Sequence, residues 1–529
     1  MIRRPLNIAL ICTDSDAWAF GARMMSAVLK RAGHTTRLVL LASEAAEYAP
    51  GVLAGTKELV RDADLIGLSC YSRGSRKARQ VAACLRPLAQ PLIWGGLHAS
   101  LNPAECAEDA GLVCRGEGEE TILELVAALQ DGRGWEQIRN LAYPRRGELV
   151  LNPLRPPIAN LDDLPLADYD RRNEFHLERG RLTQVSSDPR QERERRLQYI
   201  GSRGCAFRCT YCCNRKINEL YTGNGRYLRR MSPAKYVAQL ATLYRQHFPN
   251  ATDVFVLDED FFMRTVPEIE EFAALYRDQV GLPFDCMASP PRITEEKLRP
   301  LVGAGLWRIS LGVESGSERT KKEVFERPIS NELVLRASQA IKPHPSVAPC
   351  CFFIIGNPYE QQRDLLDTLD LMTRMAYPYY VNMYNLVFFP GSDLFDRAVR
   401  DGIIGGPHDS GYELHFRAGL KFRRHAWKRR NLYLNGLLFL TEGKVTHRRL
   451  GLLPRRLIPF LVRPAVIDYM DRRTSICRLI IGSKVLLLRA RAQVGGVLKK
   501  VIGNPANAYN LPLYLKNALA RRLNIGAPK

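Results

Sequence analysis

GCAFRCTYCC, residues 204–213, sets Cys205, Cys209 and Cys212 in a C-x3-C-x2-C array, with Tyr211 directly before the last of them. Three thiolates from one tight loop can ligate three irons of a [4Fe–4S] cluster and leave the fourth iron without a protein ligand. An open iron can chelate a small molecule, which suits a catalytic cluster and serves no purpose in one that only carries electrons. A structural zinc site completed by Cys213 or a distant residue is the competing reading of the same thiols. A chance grouping of buried thiols is the third.

Outward from the loop, short apolar runs alternate with helical spacing. Residues 197–201 form a strand leading into the loop. Further strands are expected at 253–257, 284–288, 308–313, 351–355 and 380–389, with helices such as 234–247, 267–279 and 365–375 between them. That order predicts β/α units of a barrel, whose chemistry gathers at the carboxyl ends of its strands. Polar residues fall at those ends: Asp258-Glu259-Asp260, Glu314-Ser315 and Gly356-Asn357. The acidic trio fits a helix N-cap cluster as well as a functional role. The aromatic run YPYYVNMYNLVFF, 377–389, fits a packed core strand or the lining of a substrate pocket.

Upstream, NIALIC at 7–12 is a buried-strand run, followed by a helix at 20–32 stopped by Gly33. Strands at 36–41, 64–70, 92–96 and 111–115, with helices at 77–85 and up to about 129, repeat the pattern. A doubly wound parallel sheet is expected, with ligands at the carboxyl ends of its strands. No G-x-G-x-x-G follows the first strand, which counts against a dinucleotide. The chain therefore divides into a Rossmann-like domain (1–145), a linker (146–196), a partial (β/α) barrel (197–400) and a mostly helical C-terminal region (401–529). Within the linker, DPRQERERR at 188–196 has the composition of a solvated loop.

Charge supports the last boundary. The 529 residues carry a net charge of +22, yet residues 421–529 hold 24 Lys and Arg against 3 Asp and Glu, while the rest hold 53 against 52. A neutral body with a basic tail implies an anionic partner for the tail. Its apolar runs, LYLNGLLFL (432–440), LIPFLV (457–462) and LIIGSKVLLL (479–488), are each too short to span a bilayer. Basic amphipathic segments suit an anionic membrane surface, a helical cap on the barrel with a basic exterior is the competing reading, and the scarcity of aromatics placed for base stacking argues against nucleic acid. The 13 cysteines are odd in number and unevenly spaced, and no secretion signal precedes them. Reduced cytoplasmic thiols are expected, with the tail placing the protein peripherally on the inner face of the membrane.

The loop C-x3-C-x-Tyr-C resembles the signature of the radical S-adenosylmethionine (SAM) enzymes. In that family SAM chelates the fourth iron and is cleaved to a 5′-deoxyadenosyl radical. The resemblance continues through VFVLDEDFF (254–262), SLGVESGSE (310–318), FFIIGNP (352–358) and FFPGSDLF (388–395). It implies that Cys205, Cys209 and Cys212 hold the cluster, that Glu314 and Ser315 contact SAM, and that Gly356 and the backbone of Tyr211 lie by the adenine. The family's frequent glycine-glycine-glutamate SAM motif after the first helix is absent, so the partner of the SAM amino group has no assignment. Upstream, Asp16-x-Trp18-x-x-Gly21, Ser69, Gly95-Gly96 and Gly116-Glu117-Gly118 resemble the cobalamin-binding domain that precedes many radical SAM cores. The family's fullest motif has a His where Trp18 stands. Indole has no basic nitrogen to offer cobalt, so a cobalamin without a His ligand from this loop is expected.

The resemblance implies a cobalamin-dependent radical SAM enzyme that methylates an unactivated carbon of a small or lipid-like substrate. A flavodoxin- or ferredoxin-type reductant would supply electrons; no catalytic side chain is assigned. Oxidative cyclisation or rearrangement without methyl transfer is an alternative. An RNA methylthiotransferase would need a second cluster, and Cys12, Cys70, Cys84, Cys106 and Cys114 do not sit in that family's motif contexts. A cobalamin or redox sensor is the non-enzymatic alternative.

Overall fold

The computed structural model describes residues 4–14, 18–192, 194–407 and 431–473. They fall into two compact units. The first comprises 4–192, 201–247 and 387–407; the second comprises 194–200, 248–386 and 431–473.

The first unit is built on a nine-stranded sheet. Its strands are β1 (Asn7–Cys12), β2 (Thr35–Leu40), β3 (Leu65–Ser69), β4 (Leu92–Gly95), β5 (Gly111–Cys114), β6 (Leu141–Arg145), β7 (Glu148–Leu151), β8 (Glu174–Glu178) and β9 (Arg181–Gln184). The order is β7-β6-β5-β4-β3-β1-β2-β8-β9, parallel from β5 through β8. NIALIC is central because its side chains serve both faces. Ile8, Leu10 and Cys12 pack with Val28, Leu29 and Leu125. Ala9 and Ile11 pack on the other face with Val52, Val81 and Ala82. A strand covered on both sides needs an unbroken apolar run, and this one has it. The chain reverses direction of winding at β1, which lies between β2 and β3. Crevices at such a switch point are where open α/β sheets bind ligands. Part of the expected linker is sheet: β7 and the β8–β9 hairpin extend its two edges.

The same unit carries a short antiparallel pair, β11 (Ser202–Arg203) with β12 (Arg229–Arg230), which follows β10 (Arg196–Tyr199) of the second unit in the chain. In the second unit, β10 leads a sheet with β13 (Asp253–Val256), β14 (Phe284–Ala288), β15 (Leu306–Glu314), β16 (Ala348–Ile355) and β17 (Tyr379–Asn385), all parallel. These are the six strands expected of a partial (β/α) barrel. The antiparallel strands β18 (Gly443–Val445), β19 (Arg449–Leu450) and β20 (Leu453–Pro454) continue its edge. The helix Val266–Gln279 starts where Thr265 and Glu268 form a reciprocal capping box.

Three expectations are revised. β17 stops at Asn385 rather than 389, because its partner β16 ends at Ile355 and Gly356 turns away at φ +69°. Arg196 is buried rather than solvated, pairing with Asp285 and, at 3.4 Å, with Asp253. Arg308 pairs with Asp285 from the next strand. This belt crosses the amino ends of β10, β13, β14 and β15. The run LYLNGLLFL is a helix, Leu432–Leu440, buried from Leu432 through Phe439, and so belongs to the core. LIIGSKVLLL lies outside the described residues.

Candidate functional site

The cysteine loop leaves β11 through Gly204, at φ +89°. A Cβ there would lie 2.9 Å from the Tyr227 ring, so only glycine allows the loop to turn so close. The Cys212 N–H donates to the Cys209 carbonyl at 3.1 Å, closing a turn, and Cys212 then caps the helix Cys213–Leu220. The Leu394 N–H donates to the Thr210 carbonyl at 2.9 Å, and Arg215 and Lys216 both pair with Asp393. Cys209 is buried, Cys205, Tyr211 and Cys212 are half-buried, and the three thiols are outside any disulfide. Among the described residues no three His, Cys, Asp or Glu side chains converge as a metal-ligating group. The fit of the loop to an iron–sulfur cluster therefore rests on its donor set: three thiols outside any disulfide on one short, braced turn.

At the switch point the structure brings Ser69 and the glycine pair together. Ser69 and Gly95 are register partners on β3 and β4. A Cβ on Gly96, at φ +95°, would lie 2.9 Å from Ser69 Oγ. Gly21, on the helix Phe20–Arg31, would meet nothing within 4 Å. Bare backbone at strand ends suits the close approach of a large ligand. Trp18 is buried, its ring 6.0 Å from Tyr169 and 6.4 Å from Phe20. Asp16 lies outside the described residues.

Gly116-Glu117-Gly118 is engaged with the flanks of the cysteine loop. The Tyr221 hydroxyl sits where a Cβ of Gly116 would be, and it accepts the Glu117 N–H at 2.8 Å. The Glu117 carboxylate pairs with Arg229 at 2.5 Å and Arg203 at 3.0 Å, and accepts the Ile158 N–H at 2.8 Å. Hydrogen bonds from Arg229 and the charge of Arg203 outweigh burial and hold it below the usual carboxylate range. Arg203 also pairs with Glu119. Gly118 would meet Met25 Sδ at 3.2 Å. The loop's acid is thus spent on the protein, and what it offers a cofactor is shape.

In the second unit, β15 ends in a register shift, and Glu314 is held at φ +68°. A non-glycine residue in that region is strained by roughly 1–3 kcal/mol, and such residues gather at ligand sites. Ser315 is buried, with Oγ 3.2 Å from Glu360 Oε1 and 3.3 Å from Thr368 Oγ1. Gly356 donates its N–H to Asn435 Oδ1 at 2.8 Å. Asp258 forms a buried ion pair with Arg264 at 2.7 Å, and Asp260 accepts from Ser289. Two of the trio's three acids, Asp258 and Asp260, are thus engaged with side chains of the fold itself.

Sequence reasoning missed three residues. Glu360 is 2% exposed, and burial pushes its carboxyl up to about 8. Asp14, just past β1, accepts the Tyr71 N–H at 2.6 Å, and burial raises it to about 6. His98 is fully buried, 3.2 Å from Ser72 Oγ and 3.5 Å from Glu105. Its place two residues past the glycine pair was the available signal.

Residues 6–126 match the B12 binding domain and residues 199–372 the radical SAM superfamily. This chain is a cobalamin-binding-domain radical SAM enzyme. The family's cofactors are a [4Fe–4S] cluster, SAM and cobalamin. An uncharacterized methyltransferase of Pyrococcus horikoshii is 23% identical over 350 residues, 65% of this chain and 71% of that protein. The anaerobic magnesium-protoporphyrin IX monomethyl ester cyclase of Rubrivivax gelatinosus is 26% identical over 351 residues, 63% of this chain but only 58% of that protein. In fold, the chain is similar to the radical SAM methyltransferase TsrM of Kitasatospora setae, at TM-score 0.59 and 15% identity, across 91% of this chain and all of that one. No helix of the described residues is long and apolar enough to cross a membrane.

Proposed function

We propose that this radical SAM enzyme transfers a methyl group to an unactivated carbon of a small or lipid-like molecule. The carrying observation is that a C-x3-C-x2-C loop and a glycine-lined switch-point crevice lie in one chain, each within the matching family domain. When bound, the cluster and SAM supply a 5′-deoxyadenosyl radical, and the corrinoid supplies a transferable methyl group. Cys205, Cys209 and Cys212 hold the cluster. Ser69, Gly95 and Gly96 would let the corrinoid approach the sheet backbone, and Asp16, Trp18 and Gly21 belong to the same resemblance. Trp18, an indole, would offer cobalt no basic nitrogen. By the family resemblance Glu314 and Ser315 would contact SAM, Glu314 from a backbone at φ +68°, and Gly356 would lie by its adenine; the backbone of Tyr211 carries the same expectation in the cysteine loop. The Arg203–Glu117–Arg229 pairs hold the loop after β5 in shape, so binding energy goes to orientation rather than ordering.

Methyl transfer is favoured by the likeness to the Pyrococcus horikoshii methyltransferase. Oxidative cyclisation is the second reading, supported by the likeness to the Rubrivivax gelatinosus cyclase. A flavodoxin- or ferredoxin-type protein supplies the electron, and the basic C-terminal region faces an anionic membrane surface from the cytoplasmic side. Anaerobic reconstitution with iron, sulfide and hydroxocobalamin tests the reading. It predicts 5′-deoxyadenosine release and a product heavier by one carbon. A product lighter by hydrogens alone would select cyclisation, and no SAM cleavage would leave a sensor.

A further inference from the structure

Residues 431–473 of the C-terminal region contain a cleft of about 560 Å³. It lies between the buried helix Leu432–Leu440 and the helices Ile458–Leu461 and Pro464–Arg472. Its walls, among them Leu437, Leu440, Leu453, Phe460 and Val466, are almost wholly apolar. The volume is in the range of small-ligand sites. Yet the cleft offers almost no polar surface to orient a polar ligand, which argues against nucleotides and sugars.

Its rim is unlike the rest of the molecule. Eight large apolar side chains are exposed among the described residues, and four of them, Leu452, Leu457, Phe460 and Tyr469, lie in this one stretch. Phe460 is 52% and Tyr469 51% exposed. Arg463 lies over the Phe460 ring at 5.4 Å and Arg473 over the Tyr469 ring at 4.6 Å. Lys444, Arg448, Arg449, Arg456 and Arg472 are exposed nearby in sequence, while Asp468 and Asp471 are the acids from 443 to 473. Exposed rings carrying arginines, beside an apolar cleft, match the boundary between lipid headgroups and acyl chains. The rings enter the acyl layer and the guanidiniums stay with the phosphates. A soluble protein partner would need acids to meet this charge and would leave the cleft unexplained.

We propose that this surface docks on an anionic bilayer, with the cleft taking an acyl chain of an anionic lipid. This rests on the membrane-facing reading of the basic region and assigns it to defined residues. Co-sedimentation of the full-length, reconstituted protein tests it, using vesicles of phosphatidylcholine alone and of phosphatidylcholine mixed with phosphatidylglycerol. Two variants are compared with the wild type: Leu457→Glu with Phe460→Glu, and Arg456→Glu with Arg463→Glu. Each removed cation weakens binding about fivefold, so the arginine pair predicts roughly thirtyfold loss or more. 5′-Deoxyadenosine release without vesicles should match the wild type in both variants, and serves as the folding control. Wild-type pelleting on the anionic vesicles that both variants lose supports the proposal. Equal pelleting of wild type and both variants would overturn it while leaving the broader membrane reading standing. Failure of the wild type to pellet would overturn both. So would a dimer in sedimentation velocity that the Leu457/Phe460 variant splits, with no binding to vesicles.

Discussion

Glu314 and Glu360 both belong to the chain's second unit and answer to different physics. Glu314 holds a left-handed backbone that glycine adopts freely. Glu314→Gly should raise the melting temperature by the equivalent of about 1 kcal/mol and lower SAM-dependent 5′-deoxyadenosine formation at least tenfold. A loss of stability with unchanged turnover would count against a SAM contact. Glu360 is a buried acid whose pKa is raised from 4.5 to about 8. The folded state therefore binds a proton that the unfolded chain releases above its ordinary value. Its stabilising contribution is complete below about pH 4.5 and is lost as the pH rises toward 8, at a slope near 1 kcal/mol per unit. Glu360→Gln removes this slope. Urea unfolding between pH 5 and 8 should find the variant gaining on the wild type as pH rises. Parallel curves would show that Glu360 is ionised in the fold.

At the scale of elements, the loop after β5 and the helix after the cysteines form a lock at Gly116 and Tyr221. Gly116→Ala should cost roughly 2–3 kcal/mol through its φ of +76° and the clash with the Tyr221 hydroxyl. Tyr221→Phe alone should cost about 1 kcal/mol for the orphaned Glu117 N–H. The double variant should be more stable than the sum of the two losses implies, because removing the hydroxyl clears the space that alanine needs. Strict additivity in denaturant unfolding would refute the lock. None of this was legible in the chain, since Glu117 and Arg229 are 112 residues apart. The strands were legible because runs such as NIALIC and FDCMA meet the burial of parallel sheets on both faces. The ring at the amino ends of the barrel strands was hidden for the same reason as the lock. Arg196 stood at the end of a charged run, and nothing local marked it as buried. Asp285→Asn should destabilise by about 3–5 kcal/mol, because Arg196 and Arg308 would lose their shared partner. Calorimetry that found a loss under 1 kcal/mol would show the belt to be solvated.

Across the whole molecule, two family domains in one chain imply two cofactor sites and one reaction. The cysteine spacing was readable because thiolate ligation tolerates few substitutes. The B12 binding domain was readable only through glycines and Ser69, which the structure brings together at strand ends. The substrate left no such mark, because the groups that recognise it need no fixed spacing along the chain. The account rests on Cys205, Cys209 and Cys212 acting together, and one measurement addresses that most directly. Anaerobically reconstituted Cys209→Ala is compared with the wild type and with Cys84→Ala, a change at a half-buried thiol outside the loop. Iron per chain and 5′-deoxyadenosine release are read on the same samples. Loss of both in Cys209→Ala, with Cys84→Ala like the wild type, is the predicted result. Wild-type iron and wild-type nucleoside release in Cys209→Ala would contradict it.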